Sequence, residues 1–295
     1  MTLMQDKTGL DYSKVSLYWN NTMPSILGPY MMDGFGFPVG AGMFRFQAET
    51  RIVEDLIRGI DRNGTVLDMG SGIGYWTEYF ARYFRKVISI ESSKPLYEAM
   101  KRRCAHYPGV KAVYGDVMTF EPGERYELVF LGGMLMYLNE SDVITLLRKI
   151  TSSLGQRGVI LCRETTVRNS VVTRSDEYQA VYRSIEVYKD IFRKSGLDII
   201  KVRKNAPYVL LQMGCELIKK WKTVMPEPVQ LIPVTGHILY WALRLGNPWI
   251  TRIAEKLDIA FPELENHFFM LRAGDRDPHN NKAAVTTQVQ SGKGT

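Results

Sequence analysis

The chain has 295 residues, of which 45% are hydrophobic, so it is long and apolar enough for one large domain with an addition and is not a disordered chain. Its net charge of +7 includes no long Lys/Arg run, so the charge allows an anionic substrate, a nucleic acid or a phospholipid surface without selecting among them. Three separated cysteines and four scattered histidines exclude a disulfide framework and a metal cluster, and they indicate a reducing compartment.

The N-terminal residues 1–47 are rich in aromatic residues, Gly and Pro, which predicts an irregular arm or lid. Met1–Lys7 lacks the apolar core of a signal peptide. From residue 48 the apolar spacing predicts a helix to Ile60. Strands are predicted at 65–68, 86–91, 110–114, 126–131, 158–163 and 197–203. Further helices are predicted at 74–84, 95–103, 139–154 and 175–194. Ser175 is the expected N-cap of the last of these helices.

Strands that alternate with helices predict a doubly wound α/β fold with a parallel sheet. Residues 48–205 form the expected core. Residues 206–265, helical in pattern, are expected to be an insertion before a last strand at 267–272, within a segment 266–274. The polar tail 275–295 is expected to be disordered.

The most apolar stretch, Val229 to Leu245, is interrupted by Pro233 and is shorter than the roughly 20 residues that cross a bilayer. We therefore expect a soluble, cytoplasmic protein, with peripheral membrane contact by this stretch as an open alternative.

A nucleotide-type loop follows the first predicted strand. The strand ends at Asp68, and Gly70, Gly72 and Gly74 follow at alternate positions before a helix. Glycines allow a tight turn and close approach of the backbone to a ligand. Taken alone, the loop is compatible with a structural turn or with a dinucleotide site.

Three acids narrow this interpretation. Asp68 would repel a pyrophosphate but attract the ammonium group of a methionine moiety, and Tyr75 stands where a third glycine of a dinucleotide loop is expected. Glu91 ends the next strand, where a carboxylate suits the two hydroxyls of a ribose. Asp116 follows the third strand and would accept from an adenine amino group, while the backbone N–H of Val117 donates to the ring.

These residues together resemble the class I S-adenosylmethionine-dependent methyltransferases. The matching motifs are Val66–Gly74, Ile88–Glu91, Gly115–Val117 and Tyr126–Phe130. The resemblance implies S-adenosyl-L-methionine as cofactor. The expected contacts to it are Asp68, Gly70, Ser71, Gly72, Gly74, Glu91, Ser92, Asp116, Val117 and Leu131. Aromatic faces attract cationic sulfonium and ammonium groups, so Tyr18 and Trp19 are expected to fold over the cofactor as a lid, with an anchor that pins the arm to the core as the alternative.

The resemblance also implies a seven-stranded Rossmann-like sheet whose last strand is antiparallel. An insertion before that strand, here 206–265, would then emerge over the active site as a substrate cap. A helical pair on the sheet edge or in a dimer interface is the alternative.

A weaker likeness to protein N-terminal α-amine methyltransferases rests on Tyr18-Trp19 before the Gly-rich arm and on the layout from Ile160 to Glu164. Those enzymes use an Asp-Asn pair after the fifth strand and a His after the fourth. Here Glu164-Thr165 and Tyr137 occupy these places, so the chain departs from the pattern that binds a peptide amine.

Methyl transfer chiefly requires alignment of the acceptor and exclusion of water. Glu164 is the first candidate for an acceptor contact, with a salt bridge as its alternative. Tyr137 is the second, with core packing as its alternative. An aromatic stripe at helical spacing is assigned to the core, namely Tyr178, Tyr182, Ile185, Tyr188 and Phe192.

The leading functional hypothesis is a methyltransferase that acts by in-line transfer on a small or lipid-like, hydrophobic metabolite. The alternatives are a protein or peptide N-methyltransferase and a non-catalytic protein that binds S-adenosylmethionine. A nucleic-acid substrate is not expected, because Leu131–Met134 stands where base-flipping enzymes carry an Asn/Asp-Pro-Pro-aromatic signature.

Overall fold

The computed structural model describes residues 9–22, 41–224 and 262–274, with five further residues, Trp241, Leu245, Trp249, Ile253 and Lys256. The helices with described bounds are α1 (Tyr12–Asn20), α2 (Ala41–Leu56), α3 (Tyr75–Ala81), α4 (Lys94–Arg103), α5 (Glu140–Ser152), α6 (Ile185–Lys194) and α7 (Ala206–Val224). The strands are β1 (Thr65–Met69), β2 (Lys86–Glu91), β3 (Val110–Tyr114), β4 (Tyr126–Leu131), β5 (Leu154–Val167), β6 (Val171–Ser175), β7 (Gln179–Ser184), β8 (Leu197–Lys204) and β9 (Leu264–Ala273).

The central sheet has the order predicted for the fold class. β3, β2, β1, β4 and β5 are parallel neighbours. β9 is antiparallel to β5 and lies between β5 and β8. The expected seven-stranded sheet with a reversed last strand is therefore confirmed.

Alternating side chains of the strands point to two hydrophobic cores on opposite faces of the sheet. Leu67 of β1 packs in the core that contains residues of α5 and α6, while its neighbour Val66 packs in the core that contains residues of α2 and α3. Both faces are buried, as the continuous apolar run in β4 predicts.

The helix predicted over 175–194 is wrong in its first half. β6 and β7 form an antiparallel hairpin in which Ser175 pairs with Gln179, and helix α6 begins only at Ile185. Its N-cap is Ser184, whose hydroxyl accepts from the backbone N–H of Val187 at 3.3 Å, instead of Ser175. The hairpin adds two strands to the sheet, because β7 pairs with the C-terminal end of β5.

Two of the predicted segment boundaries shift in the structure. α2 begins at Ala41, so the arm ends several residues earlier than expected, and the arm itself contains the regular helix α1. α7 forms the first 19 residues of the expected insertion. Residues 275–295 and most of 225–261 lie outside the described residues. Among the residues described, no helix combines the length and apolarity needed to cross a bilayer.

The register of the parallel strands fixes which side chains share one end of the sheet. Asp68 of β1 is paired with Phe130 of β4, which is paired with Leu161 of β5. Side chains of the same face recur every second residue, so Arg163 follows Leu161 on that face, one step nearer the carboxyl edge. Asp68, Phe130 and Arg163 all border one cavity at this edge.

Candidate functional site

A cavity of about 750 Å³ opens at the carboxyl edge of the parallel strands. In open α/β sheets this edge is where ligands bind. Loops after β1, β2, β3 and β4 form one side of the cavity. α1, α2, the hairpin β6–β7 and α7 form the other.

Asp68 lies at the end of β1, 1% exposed, and borders the cavity. Its Oδ2 accepts from the hydroxyl of Thr77 at 2.6 Å. Burial raises the pKa of Asp68 to about 7, with a smaller opposing contribution from the Thr77 hydrogen bond. A cation that reaches this carboxylate would therefore hold it in its charged form.

Glu91 lies at the end of β2 and faces the glycine loop. Its Oε2 accepts from the backbone N–H of Gly72 at 2.8 Å, and its Oε1 accepts from that of Ser93 at 2.8 Å. Burial raises the pKa of Glu91, and these backbone donors oppose the shift. The carboxylate is thus held in place beside the loop, and it borders the cavity together with Ser92.

The glycine loop places its backbone against the cavity. Gly70 and Gly72 have φ values of +68° and +56°, which glycine adopts without steric cost. A Cβ at Gly72 would meet no atom within 4 Å, so the space beside it is open for a ligand. Ser71 also borders the cavity.

Asp116 and Val117 lie at the opposite end of the same side of the cavity, after β3. The Oδ1 atom of Asp116 accepts from the backbone N–H of Met118 at 2.8 Å. This local turn fixes the direction of the exposed carboxyl group.

Two expected cofactor contacts do not border the cavity. Leu131 is fully buried in the core on the opposite face, and Phe130 borders the cavity instead. Successive side chains of a strand point to opposite faces of the sheet, so Phe130 and Leu131 of β4 cannot both face the cavity. Gly74 caps α3 with φ +85°, and a Cβ there would lie 2.8 Å from the Cγ of Met100, so its lack of a side chain serves helix packing.

Helix α1 lies across the cavity as a strap that is bound at both ends. At its C-terminal end the carbonyl of Trp19 accepts from the hydroxyl of Ser93 at 2.9 Å, and Asn20 Oδ1 accepts from the backbone N–H of Lys94 at 3.2 Å. At its N-terminal end Asp11 N–H donates to Gln179 Oε1 at 2.8 Å. The strap therefore connects α4 to the hairpin β6–β7.

An aromatic cluster joins this strap to the rest of the cavity wall. It consists of Tyr18 and Trp19 of α1 together with Tyr137 and Tyr178. The ring centroids of Trp19 and Tyr137 are 5.3 Å apart, and those of Tyr18 and Tyr178 are 5.1 Å apart, all in edge-to-face geometry. The hydroxyls of Tyr137 and Tyr178 are 2.7 Å apart. Burial, then the neighbouring Tyr178, raises the pKa of Tyr137 well above its ordinary value. Tyr137 is therefore a neutral phenol near pH 7.

Glu164 is not in the cavity, contrary to the expected acceptor contact. Its side chain is fully buried on the other face of β5, and its strand neighbours Arg163 and Thr165 border the cavity instead. Glu164 Oε1 accepts from the backbone N–H of Leu135 at 3.2 Å. Arg183 donates to the carbonyl of Leu135 at 2.9 Å and to that of Leu138 at 2.6 Å. These bonds hold the short 3₁₀ turn that carries Tyr137.

Sequence reasoning missed an arginine pair in the cavity wall. Arg45 of α2 and Arg163 of β5 share the fully buried carboxylate of Glu49, with Nε–O distances of 2.8 Å and 2.9 Å. Arg45 and Glu49 stand four residues apart on α2, a spacing that places them on one helix face and was visible in the sequence. The partner Arg163 is 114 residues away from Glu49, so no local pattern indicates it.

Sequence reasoning also assigned two cavity residues to the core. Tyr178 and Tyr182 border the cavity from the hairpin, and Tyr208 and Gln212 border it from α7. The guanidinium of Arg45 lies 4.6 Å from the ring centroid of Tyr208. Among the cavity-lining residues that the structure describes there is no His, Lys or Cys, and the only acids are Asp68, Glu91 and Asp116.

Comparison with known proteins gives a family match and several distant relatives. A family model described as AdoMet dependent proline di-methyltransferase matches residues 7–212. Alpha N-terminal protein methyltransferase 1 of Drosophila melanogaster is 23% identical over 71% of this chain and 77% of that protein. Phosphoethanolamine N-methyltransferase 3 of Arabidopsis thaliana is 29% identical over 45% of this chain, and the match spans 28% of that protein.

Among solved structures, a SAM-dependent methyltransferase of Leishmania major has a similar fold. Its TM-score is 0.60 with 16% identity, and the match covers 88% of this chain and 82% of that chain. At this identity the likeness concerns the fold alone.

The buried Glu164 gives the protein a testable pH dependence. Burial raises the pKa of Glu164 to about 7, so the folded chain holds a proton that the unfolded chain releases near its ordinary pKa of 4.5. This contribution to stability is complete below that ordinary value and is lost as the pH rises through 7. We expect the free energy of unfolding of Glu164→Gln, measured by urea denaturation, to fall less steeply than that of the wild type between pH 5 and 7. The difference in slope is at most about 1.4 kcal/mol per pH unit.

The matched control is Glu121→Gln, because the Glu121 side chain is 82% exposed. The free energy of unfolding of Glu121→Gln should change with pH as steeply as that of the wild type. If the free energy of unfolding of Glu164→Gln also changes with pH as steeply as that of the wild type, the assignment of a buried proton to Glu164 is contradicted.

Proposed function

The chain belongs to the AdoMet-dependent proline di-methyltransferase family, so it is a methyltransferase whose methyl donor is S-adenosylmethionine, and we propose that its acceptor is a small or lipid-like metabolite enclosed beneath α1. The predicted enzyme class and cofactor are thereby confirmed. The observation that supports the enclosed acceptor is the strap α1, which covers the cavity and places Trp19 against Tyr137.

The residues at the carboxyl edge fit S-adenosylmethionine. Asp68 offers a buried carboxylate to the ammonium group, and Glu91 offers one to the ribose hydroxyls. Asp116 and Val117 suit the adenine edge. The open space beside Gly72 leaves room for the nucleoside, because no side chain fills it.

Bound S-adenosylmethionine supplies a methyl group that its sulfonium already activates, so the chain must mainly align the acceptor and keep out water. We assign these tasks to the aromatic cluster and to α1. Tyr137, a neutral phenol, orients the acceptor by hydrogen bonding and does not act as a base. Glu164 is a positioning residue, since it holds the turn that carries Tyr137.

Residues 206–265 are the expected substrate cap, and α7 is the part of this range that we assign to the cap among the described residues. Tyr208 and Gln212 of α7 border the cavity, so this helix forms part of the acceptor wall in our proposal. The expected division into an N-terminal lid, a cofactor-binding core and a cap is kept as part of the proposal, with the start of the core moved to α2 at Ala41.

A protein or peptide N-methyltransferase is the second candidate. The family description and the Drosophila relative, which is named an alpha N-terminal protein methyltransferase, favour it. The departures at Glu164-Thr165 and Tyr137 argue against it, because Glu164 is buried away from the cavity and the three acids of the described wall are assigned to the cofactor.

Transfer of labelled methyl groups to a panel of acceptors distinguishes these candidates. The panel contains small aromatic amines, phenols and aryl carboxylates on one side and short peptides that begin with proline on the other. We expect product only among the small acceptors, since α1 covers the cavity. Methylation restricted to the peptides would contradict the proposal and support the second candidate.

The assignment of Asp68 to the ammonium group predicts pH-dependent binding. Only the ionised carboxylate pairs with an ammonium group, and the pKa of Asp68 is about 7. We expect the affinity for S-adenosylhomocysteine, measured by titration calorimetry, to fall about tenfold per pH unit as the pH falls from 7 to 5.5, because one proton competes. Asp68→Asn should bind weakly at every pH and should lack this slope. A wild-type affinity that is constant over the same range would contradict the assignment.

The strap predicts a kinetic effect of Trp19. Trp19→Ala removes the ring that contacts Tyr137, and aromatic contacts of this kind contribute about 1 kcal/mol beyond the buried area. We expect S-adenosylhomocysteine to dissociate about tenfold faster, as measured by stopped-flow fluorescence or by displacement of the labelled ligand. The control is Leu17→Ala on the same helix, since Leu17 is 61% exposed and does not border the cavity. Equal dissociation rates for Trp19→Ala and Leu17→Ala would contradict the role of α1 as a lid.

A further inference from the structure

The charges in the cavity wall are divided between its two sides. The three acids stand at the ends of β1 and β2 and just after β3, on the side assigned to the cofactor. Two arginines, Arg45 and Arg174, border the other side, and a third, Arg163 of β5, lies between the two sides, since its guanidinium reaches Gly132 after β4. The division means that an acceptor approaching the methyl group meets cations, so a cationic acceptor is disfavoured there and an anionic one is favoured.

Arg45 and Arg163 form the inner part of this basic wall. They are 2% and 5% exposed, and each binds one oxygen of Glu49 through its Nε. Arg163 Nη1 also donates to the carbonyl of Gly132 at 3.2 Å. These contacts fix the positions of two guanidinium groups at the border of the cavity, against the carboxylate that they share.

Arg174 forms the outer part of the wall, on the hairpin that sequence reasoning missed. It pairs with Ala180 across the hairpin and is exposed, and its guanidinium lies 5.6 Å from the ring centroid of Tyr182. Within the described ranges Arg174 makes no ion pair, although Asp176 stands two residues away in the same hairpin. A planar guanidinium that rests on an aromatic ring beside a cavity suits bidentate binding of a carboxylate or a phosphate.

The hairpin places this arginine next to apolar and aromatic surface. Tyr178 and Tyr182 border the cavity on the same hairpin, and Tyr208 borders it from α7. An acceptor that satisfies both features has an aromatic or apolar body for the tyrosines and an anionic group for Arg174.

We propose that the acceptor carries a carboxylate or phosphate group, and that Arg174 binds this group at the mouth of the cavity while Arg45 and Arg163 supply the positive potential further in. The proposal rests on the proposed function, because it names the class of acceptor for that same site. It makes Arg174 a specificity-determining residue of the acceptor site.

The test uses three simple probes of similar shape, namely benzoate, phenyl phosphate and the neutral benzamide. Each is titrated by calorimetry into the full-length protein saturated with S-adenosylhomocysteine. We expect at least one anion to bind about tenfold or more tightly than benzamide. Arg174→Gln should weaken that binding by about tenfold, as expected for the loss of a charge-assisted hydrogen bond, and Arg174→Lys should restore only part of it, since an ammonium group keeps the charge but cannot bind bidentately.

Arg58→Gln is the matched control. It removes one positive charge from a side chain that is 80% exposed and does not border the cavity, and its partner Asp55 retains Arg203 at 2.5 Å. Arg58→Gln should leave the affinity for both anions unchanged. Preference for benzoate indicates a carboxylate acceptor, and preference for phenyl phosphate indicates a phosphate acceptor.

Three results would overturn the inference. In the first, benzamide binds as tightly as both anions. In the second, Arg174→Gln binds the anions with the affinity of the wild type. In the third, Arg58→Gln lowers the affinity for the anions as much as Arg174→Gln does. Failure of the proposed function is distinct from these outcomes. It would appear as methyl transfer restricted to proline-initiated peptides in the acceptor panel, whereas transfer to neutral small acceptors alone would overturn only the inference about charge.

Discussion

The buried carboxylate of Glu49 is the interaction that holds together one wall of the cavity, the wall that we propose faces the acceptor. It is fully buried on α2, where its Oε1 accepts from Arg45 at 2.8 Å and from Asn205 Nδ2 at 2.6 Å, and its Oε2 accepts from Arg163 at 2.9 Å. The bonds connect α2, the end of β5 and the residue before α7, which are distant in sequence. Loss of one partner of such a buried pair leaves an uncompensated charge and costs about 3–5 kcal/mol. This wall of the cavity is therefore built as one unit with the sheet.

The two sides of the cavity differ in origin. The side with Asp68, Glu91 and Asp116 follows from the parallel sheet itself, since the carboxyl ends of adjacent parallel strands meet at one edge. The other side is built by additions to the sheet, namely α1, the hairpin β6–β7 and α7. In our proposal the shared sheet accounts for the methyl donor, and the additions select the acceptor. The names of two relatives, an alpha N-terminal protein methyltransferase and a phosphoethanolamine N-methyltransferase, point to different acceptors, which agrees with this proposal.

The parts of the fold that the sequence predicts are those fixed by local patterns. The glycine loop, the apolar run of β4 and the alternation of strands and helices each lie within a short segment, and the structure has them close to where they were expected. The hairpin was missed because Tyr178, Tyr182 and Tyr188 also fit helical spacing, and only the pairing of β7 with β5 decides between the two. The prediction of Glu164 as an acceptor contact is wrong because alternation along β5 gives two faces without saying which one borders the cavity. The shared Glu49 joins residues more than a hundred positions apart, which no local pattern encodes.

The most direct test of the account is a crystal structure of the protein with S-adenosylhomocysteine bound. The account predicts that the ammonium group lies on Asp68, the ribose hydroxyls on Glu91 and the adenine beside Asp116 and Val117. The sulfur atom should then face the space between Tyr137 and Arg163. A ligand that lies elsewhere, or that leaves Asp68 and Glu91 without contact, would contradict the division of the cavity into a donor side and an acceptor side.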